Sequence, residues 1–310
     1  MKKREIAYQV AAVAAVLFAI GYLVSNTLTN LEVRRIASGF GFLGREAGFE
    51  IGESFFMRYG AADSYLRALV VGLVNTLAVA AIGIVLATGL GTAIGLFRLS
   101  GNLLLRTIST AYVEFVRNVP LLVQLFFWYA MITETLPVAR EALEPLPGVF
   151  LSNRGIYFPS FSGTPVLQGF NFTGGAALTP EFAALLLGLA TYTAGFIAEI
   201  VRAGVLAVGR GQWEAAQAVG LTRPQALRHV VLPQALRVIV PPMTSQYLDL
   251  TKNSSLAVAI GYPDLVSIAN TTINQTGQAI EGIAIIMLVY LTISLTISAF
   301  MNWYNARVLR

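Results

Sequence analysis

The sequence predicts an all-α, polytopic membrane protein with about six spanning helices, and three observations carry that prediction. First, its 310 residues are 56% hydrophobic and only 12% charged, with a mean hydropathy of +0.68. That is far more apolar than a soluble domain of this length requires. Second, charge-poor runs long enough to cross a bilayer recur along the chain, separated by polar connections. Third, Gly211 to Pro233, GQWEAAQAVGLTRPQALRHVVLP, is a polar, basic island between two of these runs. Lipid does not tolerate such a segment, so it lies at the membrane surface.

Met1-Lys2-Lys3-Arg4 precedes the first run, Ile6 to Val24, which is long enough for a hydrocarbon core of roughly 30 Å. A cleaved signal peptide begins in the same way. The run exceeds a signal core, however, and Ser25-Asn26-Thr27 offers no small-x-small cleavage site, so a retained anchor is expected. Residues 25 to 64 are mixed and glycine-broken and read as an extramembrane loop with room for one short helix. Leu66 to Phe97 is the second span, about 48 Å long as a helix. Its Gly83, Ala87, Gly91 and Gly95 recur every four residues and predict a small-residue stripe for close helix approach.

After a short basic connection, Ile108 to Thr133 reads as the third span. Glu134 to Pro180 carries six prolines (137, 145, 147, 159, 165 and 180) and reads as an exposed loop. The fourth span runs from about Glu181 to Val208. Beyond the island, Val238 to Ile260 is apolar but interrupted by Pro241, Pro242, Asp249, Lys252 and Asn253. Tyr262 to Ala279 is mixed, and Gly282 to Trp303 is the last span.

The island reads as two helical pieces. Gly220 sits where a left-handed residue would end the first, and Thr222-Arg223-Pro224-Gln225 fits a capping box that starts the second. Leu232-Pro233 is expected to end it, because proline disfavours helical geometry in the preceding residue.

Six spans place both termini, residues 98 to 106 and the island on one side. That side carries Lys2, Lys3, Arg4, Arg98, Arg106, Arg210, Arg223, Arg228, Arg237, Arg307 and Arg310 against Glu5 and Glu214. The other side sets Arg34, Arg35, Arg45, Arg58, Arg67, Arg140 and Arg154 among at least as many acids. The positive-inside rule makes the first side cytoplasmic. The formal charge of +5 therefore reports orientation, and nucleic acid is not an expected partner. There is no cysteine, and the lone His229 builds no metal site. No Gly-Lys dipeptide occurs, so no Walker A loop is present and ATP, if used, is hydrolysed by another chain.

Three acid-x-x-base pairs fall in or near spans: Glu114/Arg117, Glu199/Arg202 and Asp249/Lys252. Residues three apart on a helix are close enough to pair, which offsets part of the cost of a charge in lipid. Glu199/Arg202, near a span end, reads as structural. The other two pairs lie beside helix disruptors, Pro120 in one case and the polar run Lys252-Asn253-Ser254-Ser255 in the other. Broken helices at membrane depth line water-filled paths. A zwitterionic substrate needs both charge signs, which these segments supply; self-neutralisation inside the bundle is the alternative.

Glu214-Ala215-Ala216, Gly220 and then Val230-x-Leu232-Pro233 resemble the EAA loop of the membrane subunits of ATP-driven, binding-protein-dependent importers. The resemblance implies a type I ABC importer transmembrane domain at residues 65–305, with an external loop at about 135–180 and a cytoplasmic coupling loop at about 210–237. It leaves 1–64 as anchor and loop and 306–310 as a tail. Val113 to Gln124, with Asn118-Val119 where much of the family has Gly-Thr, is similar to the third-span signature of polar amino-acid permeases. Lys252-Asn253-Ser254-Ser255-Leu256 resembles a second element of the same family. The first span and long loops resemble the larger permeases of the general L-amino-acid importers of Gram-negative bacteria, or the related glutamate/glutamine/aspartate/asparagine importers.

The implied partners are an ABC ATPase dimer that carries ATP and Mg, a second permease, a periplasmic amino-acid-binding protein and membrane lipid. The implied coupling residues are Glu214, Ala215, Ala216, Gly220, Leu232 and Pro233. The path candidates are Glu114, Arg117, Gln124, Asp249, Lys252, Asn253, Ser254 and Ser255. An ion-coupled secondary transporter using the charged pairs as relays is the alternative. An intramembrane enzyme lacks a catalytic or metal-ligand set in the spans.

Overall fold

The computed structural model describes residues 3–33, 38–54, 56–161 and 163–308. Of the charge count above, Lys2, Arg34, Arg35 and Arg310 lie outside these residues, as does the end of the 306–310 tail. The first helix, α1 (Lys3–Val33), extends well beyond Val24. Its polar end stays helical, with the Thr27 and Thr29 hydroxyls satisfied by the Leu23 and Ser25 carbonyls one turn back. Residues 38–64 form a strap with a single 3₁₀ turn, Phe40–Gly44, and lead to α2 (Tyr65–Phe97), capped by the Ser64 side chain.

The third span is broken. It comprises α3 (Leu103–Asn118) and α4 (Leu121–Ala130), the latter continued by a π turn at Met131–Thr135, and the two halves meet at 106°. Pro120 sets the break, since it cannot donate a backbone hydrogen bond to the preceding turn. Gln124 braces it, donating its buried amide to the Val116 and Val119 carbonyls at 2.9 and 3.0 Å.

Residues 143–178 depart from the expected loop and from a purely helical fold. Strands β1 (Leu143–Leu146), β2 (Val149–Ser152) and β3 (Gly155–Phe158) form an antiparallel meander. The hairpin β4 (Val166–Gln168) and β5 (Asn171–Thr173) follows, and β6 (Ala176–Leu178) returns to pair with β3. The prolines and glycines are the turns of this module. Gly155 is required by its close approach to β6, where a Cβ would lie 2.2 Å from the Leu178 carbonyl oxygen.

Strand β6 leads directly to α5 (Pro180–Leu206), whose N-cap is Thr179. Helices α2 and α5 run parallel, and the predicted stripe is their contact. A Cβ at Gly91 would meet Ile197 at 2.7 Å, and one at Gly95 the Ala198 carbonyl at 2.7 Å. The strap and the β module therefore lie at one end of the bundle, and the chain leaves α5 at the other.

There it forms α6 (Arg210–Ala218) and α7 (Arg223–Ala226), then a π turn at Leu227–Val231 that opens into α8 (Leu232–Asn253). The helix does not end at Leu232-Pro233 as expected: Leu232 is helical, with φ −59 and ψ −44. The π turn, rather than a break, accommodates proline's missing donor and its ring. Helix α8 also carries Pro241 and Pro242 internally, then tightens into a 3₁₀ segment, Ser254–Ile260.

A helix not anticipated follows, α9 (Leu265–Thr276), capped by Asp264 and closed by Gly277 at φ 72. Finally α10 (Ala279–Val308) completes the bundle. Among the described residues four helices are long and apolar enough to span a membrane, or six elements if each bent pair is one span. The core centres on α5, with Phe182, Leu185, Leu189 and Ile197 fully buried.

Candidate coupling surface and charged cleft

The island presents a built surface. Gly220 (φ 84) ends α6, with Leu221 N–H returning to the Ala216 carbonyl at 3.1 Å, and the capping box places Thr222 N–H on Gln225 Oε1 at 2.9 Å. Ala216 is buried and holds α6 against the bundle, while Glu214 and Ala215 face outward. The Gln234 side chain of α8 bonds Gln212 of α6 at 3.1 Å, so the pieces form one unit with the start of α8. Leu232 and Pro233 are exposed at that junction. Val219 is 76% exposed at the tip of α6.

The three acid-base pairs behave differently from one another. Glu199 does pair with Arg202, at 2.5 Å, and it also binds Arg98 at the end of α2. Neither Glu114 with Arg117 nor Asp249 with Lys252 forms an ion pair among the described residues. Arg117 lies in the last turn of α3, and its guanidinium sits over the Phe196 ring of α5, 5.2 Å from the centroid.

Glu114, Arg117 and Asn118 of α3 and Phe196, Glu199 and Arg202 of α5 line one polar cleft with Arg98, about 410 Å³ in volume. That lies within the roughly 300–1,000 Å³ of small-molecule sites. The single Glu199 carboxylate is shared by the Arg98 and Arg202 guanidinium groups, and Glu114 and Arg117 add one further charge of each sign, so the lining carries a net positive charge.

Arg98, Phe196 and the Glu199/Arg202 pair were therefore missed as cleft residues. The acid-x-x-base spacing they share with Glu114/Arg117 was the available signal. Gln124 is no part of this lining and serves the helix break. Asp249 and Lys252 are exposed on α8, Asn253 is half-buried, and none of them borders the cleft. Ser254 is buried, and its hydroxyl and that of Ser255 return to the Thr251 and Lys252 carbonyls within the 3₁₀ turn. Among the described residues no cluster of His, Cys, Asp and Glu has metal-site geometry.

Residues 83–310 match the family described as binding-protein-dependent transport system inner membrane component. A putative amino-acid ABC transporter permease of Escherichia coli, YhdX, is 47% identical over 97% of this chain and 93% of its own length. The general L-amino acid transport system permease AapQ of Rhizobium johnstonii is 41% identical over 99% and 92%. Among solved structures, an amino acid ABC transporter with histidines aligns with a TM-score of 0.60 and 27% identity, over 78% of this chain and 95% of that one.

Proposed function

The chain belongs to the family of inner membrane components of binding-protein-dependent transport systems, and we propose that it is the translocating subunit of an ATP-driven amino-acid importer. Its relatives are amino-acid permeases, and the chemistry of the charged cleft supports the same substrate class. In this reading ATP and Mg are bound by a separate ABC ATPase dimer. A second permease, a relative of this chain, completes the membrane path, and a periplasmic binding protein delivers the amino acid. The termini and the island face the cytoplasm, in keeping with their basic excess.

The island carries the mechanism. Helix α6 offers Glu214 and Ala215 to the ATPase, Ala216 seats the helix, Gly220 turns the chain, and Leu232-Pro233 passes motion into α8. Closure of the ATPases on ATP shifts α6, and the tie between Gln212 and Gln234 carries the shift to the span. The path then alternates between its two openings. Glu114 and Arg117 meet the ammonium and carboxylate of the passing amino acid. Asp249, Lys252 and Asn253 at the end of α8, with Ser254 and Ser255 in the 3₁₀ segment that follows, border the path, with Lys252 contributing long-range charge.

The outward face of Glu214 is the observation that carries this reading. Glu214→Arg in the reconstituted complex is expected to abolish amino-acid-stimulated ATP hydrolysis while the subunit still inserts. Unchanged hydrolysis refutes the coupling role. In the same vesicles Arg117→Ala is expected to depress uptake more than Lys252→Ala, since only Arg117 borders the cleft.

A further inference from the structure

The strap at residues 38–64 is held at both ends, and near its middle Glu53 reaches across to α5. Phe42 and Ala47 are buried against Leu69, Leu265 and Ile268 of α2 and α9. Gly39 N–H bonds the carboxylate of Glu281 at the start of α10. Further along, the Glu53 carbonyl accepts the Asn75 amide of α2 at 2.8 Å. The Glu53 side chain then crosses to α5, where its carboxyl accepts the hydroxyl of Thr179 at 2.5 Å. Thr179 is the cap of α5 and accepts Phe182 N–H at 3.1 Å. The strap thus bridges the α2, α9 and α10 ends to the head of α5, and the Glu53 carboxyl makes the attachment to α5.

Among the described residues no basic group acts on that carboxyl. On α5 it faces Thr179 and Glu181, and Glu181 accepts the Tyr129 hydroxyl of α4 at 3.2 Å. From the loop before α9 it faces buried Tyr262 and, beyond it, Asp264. From α2 the neutral Asn75 amide holds the Glu53 backbone carbonyl.

We propose that residues 39–64 form a proton-controlled latch at this end of the bundle, closed when Glu53 is docked on Thr179 and opened during transport. The proposal rests on the transport reading above. The physical reason is that a carboxyl beside another carboxyl, with no cation paired to it among the described residues, docks more readily when neutral. Burial, and then the charge of Glu181, push the Glu53 carboxyl up from its ordinary 4.5 to about 7, against the opposing Thr179 hydrogen bond. The sign follows. Docking is fully favoured below about 4.5, weakens as pH rises toward about 7, and levels off above it. An alkaline exterior therefore loosens the latch and an acidic one tightens it.

Two experiments test the latch, and the first needs no transport. The chain has no cysteine, so spin labels at Ser54→Cys and Ala177→Cys, both exposed, report the separation of strap and β6 in the assembled complex. A single short distance is expected at pH 5. A longer population should be roughly tenfold or more enriched at pH 8, while added Glu53→Gln holds the short distance at both. Distances that ignore pH, or a Glu53→Gln variant that opens like its parent, overturn the proposal.

In the second experiment, Glu53→Cys and Thr179→Cys are bridged by a short, cleavable bis-methanethiosulfonate. Uptake is expected to stop and to return on reduction; uptake at the unbridged rate overturns the latch as a gate. Absent uptake by the unsubstituted parent complex counts against the transport reading alone, and the distance measurement then still decides whether the latch exists.

Discussion

Gly91 shows how little freedom single residues have where α2 and α5 touch. Its missing side chain is the contact: a Cβ there meets Ile197 at 2.7 Å and the Ala194 carbonyl at 2.8 Å. Gly91→Val is therefore expected to force the helices apart at a cost of roughly 1–3 kcal/mol or more. A thermal melt of the purified subunit in detergent reads this as a lowered Tm, whereas Gly89→Val, with nothing within 4 Å, should melt like the parent. This residue was legible in sequence, because small residues four apart fall on one helical face whatever the surrounding fold. Gln124 was not. Pro120 announced a break, but which carbonyls the break would free, and which side chain would reach them, depends on the 106° turn itself. The unpaired state of Glu114 and Arg117 was hidden in the same way, since the Phe196 ring that draws Arg117 away comes from a helix distant in sequence.

Among the elements, the π turn at Leu227–Val231 sets the angle at which the island meets α8. Leu232 N–H reaches back five residues to the Leu227 carbonyl, and Pro233 cannot supply the next bond of a regular helix. Pro233→Ala restores that donor, so the turn is expected to relax toward α geometry and rotate α6 relative to the span. Stability should change by only about 1 kcal/mol, the net worth of one hydrogen bond. Coupling should suffer more: amino-acid-stimulated ATP hydrolysis is expected to fall while basal hydrolysis and the melting temperature hold. Equal stimulation in variant and parent would show that the turn does not set the angle. Elements announced by local chemistry were legible, as in the Gly220 stop and the Thr222 capping box. The β module was hidden because its Pro-Gly and Asn-Arg-Gly turns were read as loop, and each strand is too short for alternation to show. Helix α9 was hidden behind mixed polarity, although Asp264 and Gly277 bracket it as N-cap and left-handed terminator.

At the scale of the whole molecule, the parallel packing of α2 and α5 separates two functional ends. Both helices begin under the strap and β module, and α5 ends at the island, so the bent α3–α4 span must return the chain across the membrane between them. The end bearing the island carries the basic excess, so the proposed function expects it on the cytoplasmic side, where the energetic cost of moving those arginines across lipid would hold it. That expected sidedness can be read by one labelling experiment. Val219 is 76% exposed at the island tip and Phe161 is fully exposed in the β module. With no native cysteine in the chain, Val219→Cys and Phe161→Cys each give a single target. A membrane-impermeant maleimide is expected to label Phe161→Cys in cells whose outer barrier is opened but whose inner membrane is sealed. Val219→Cys should react only once that membrane is breached. Labelling of both in sealed cells, or the reverse order, would break the link between charge and orientation on which the coupling role of Glu214 depends, since an island outside the cell meets no ATPase.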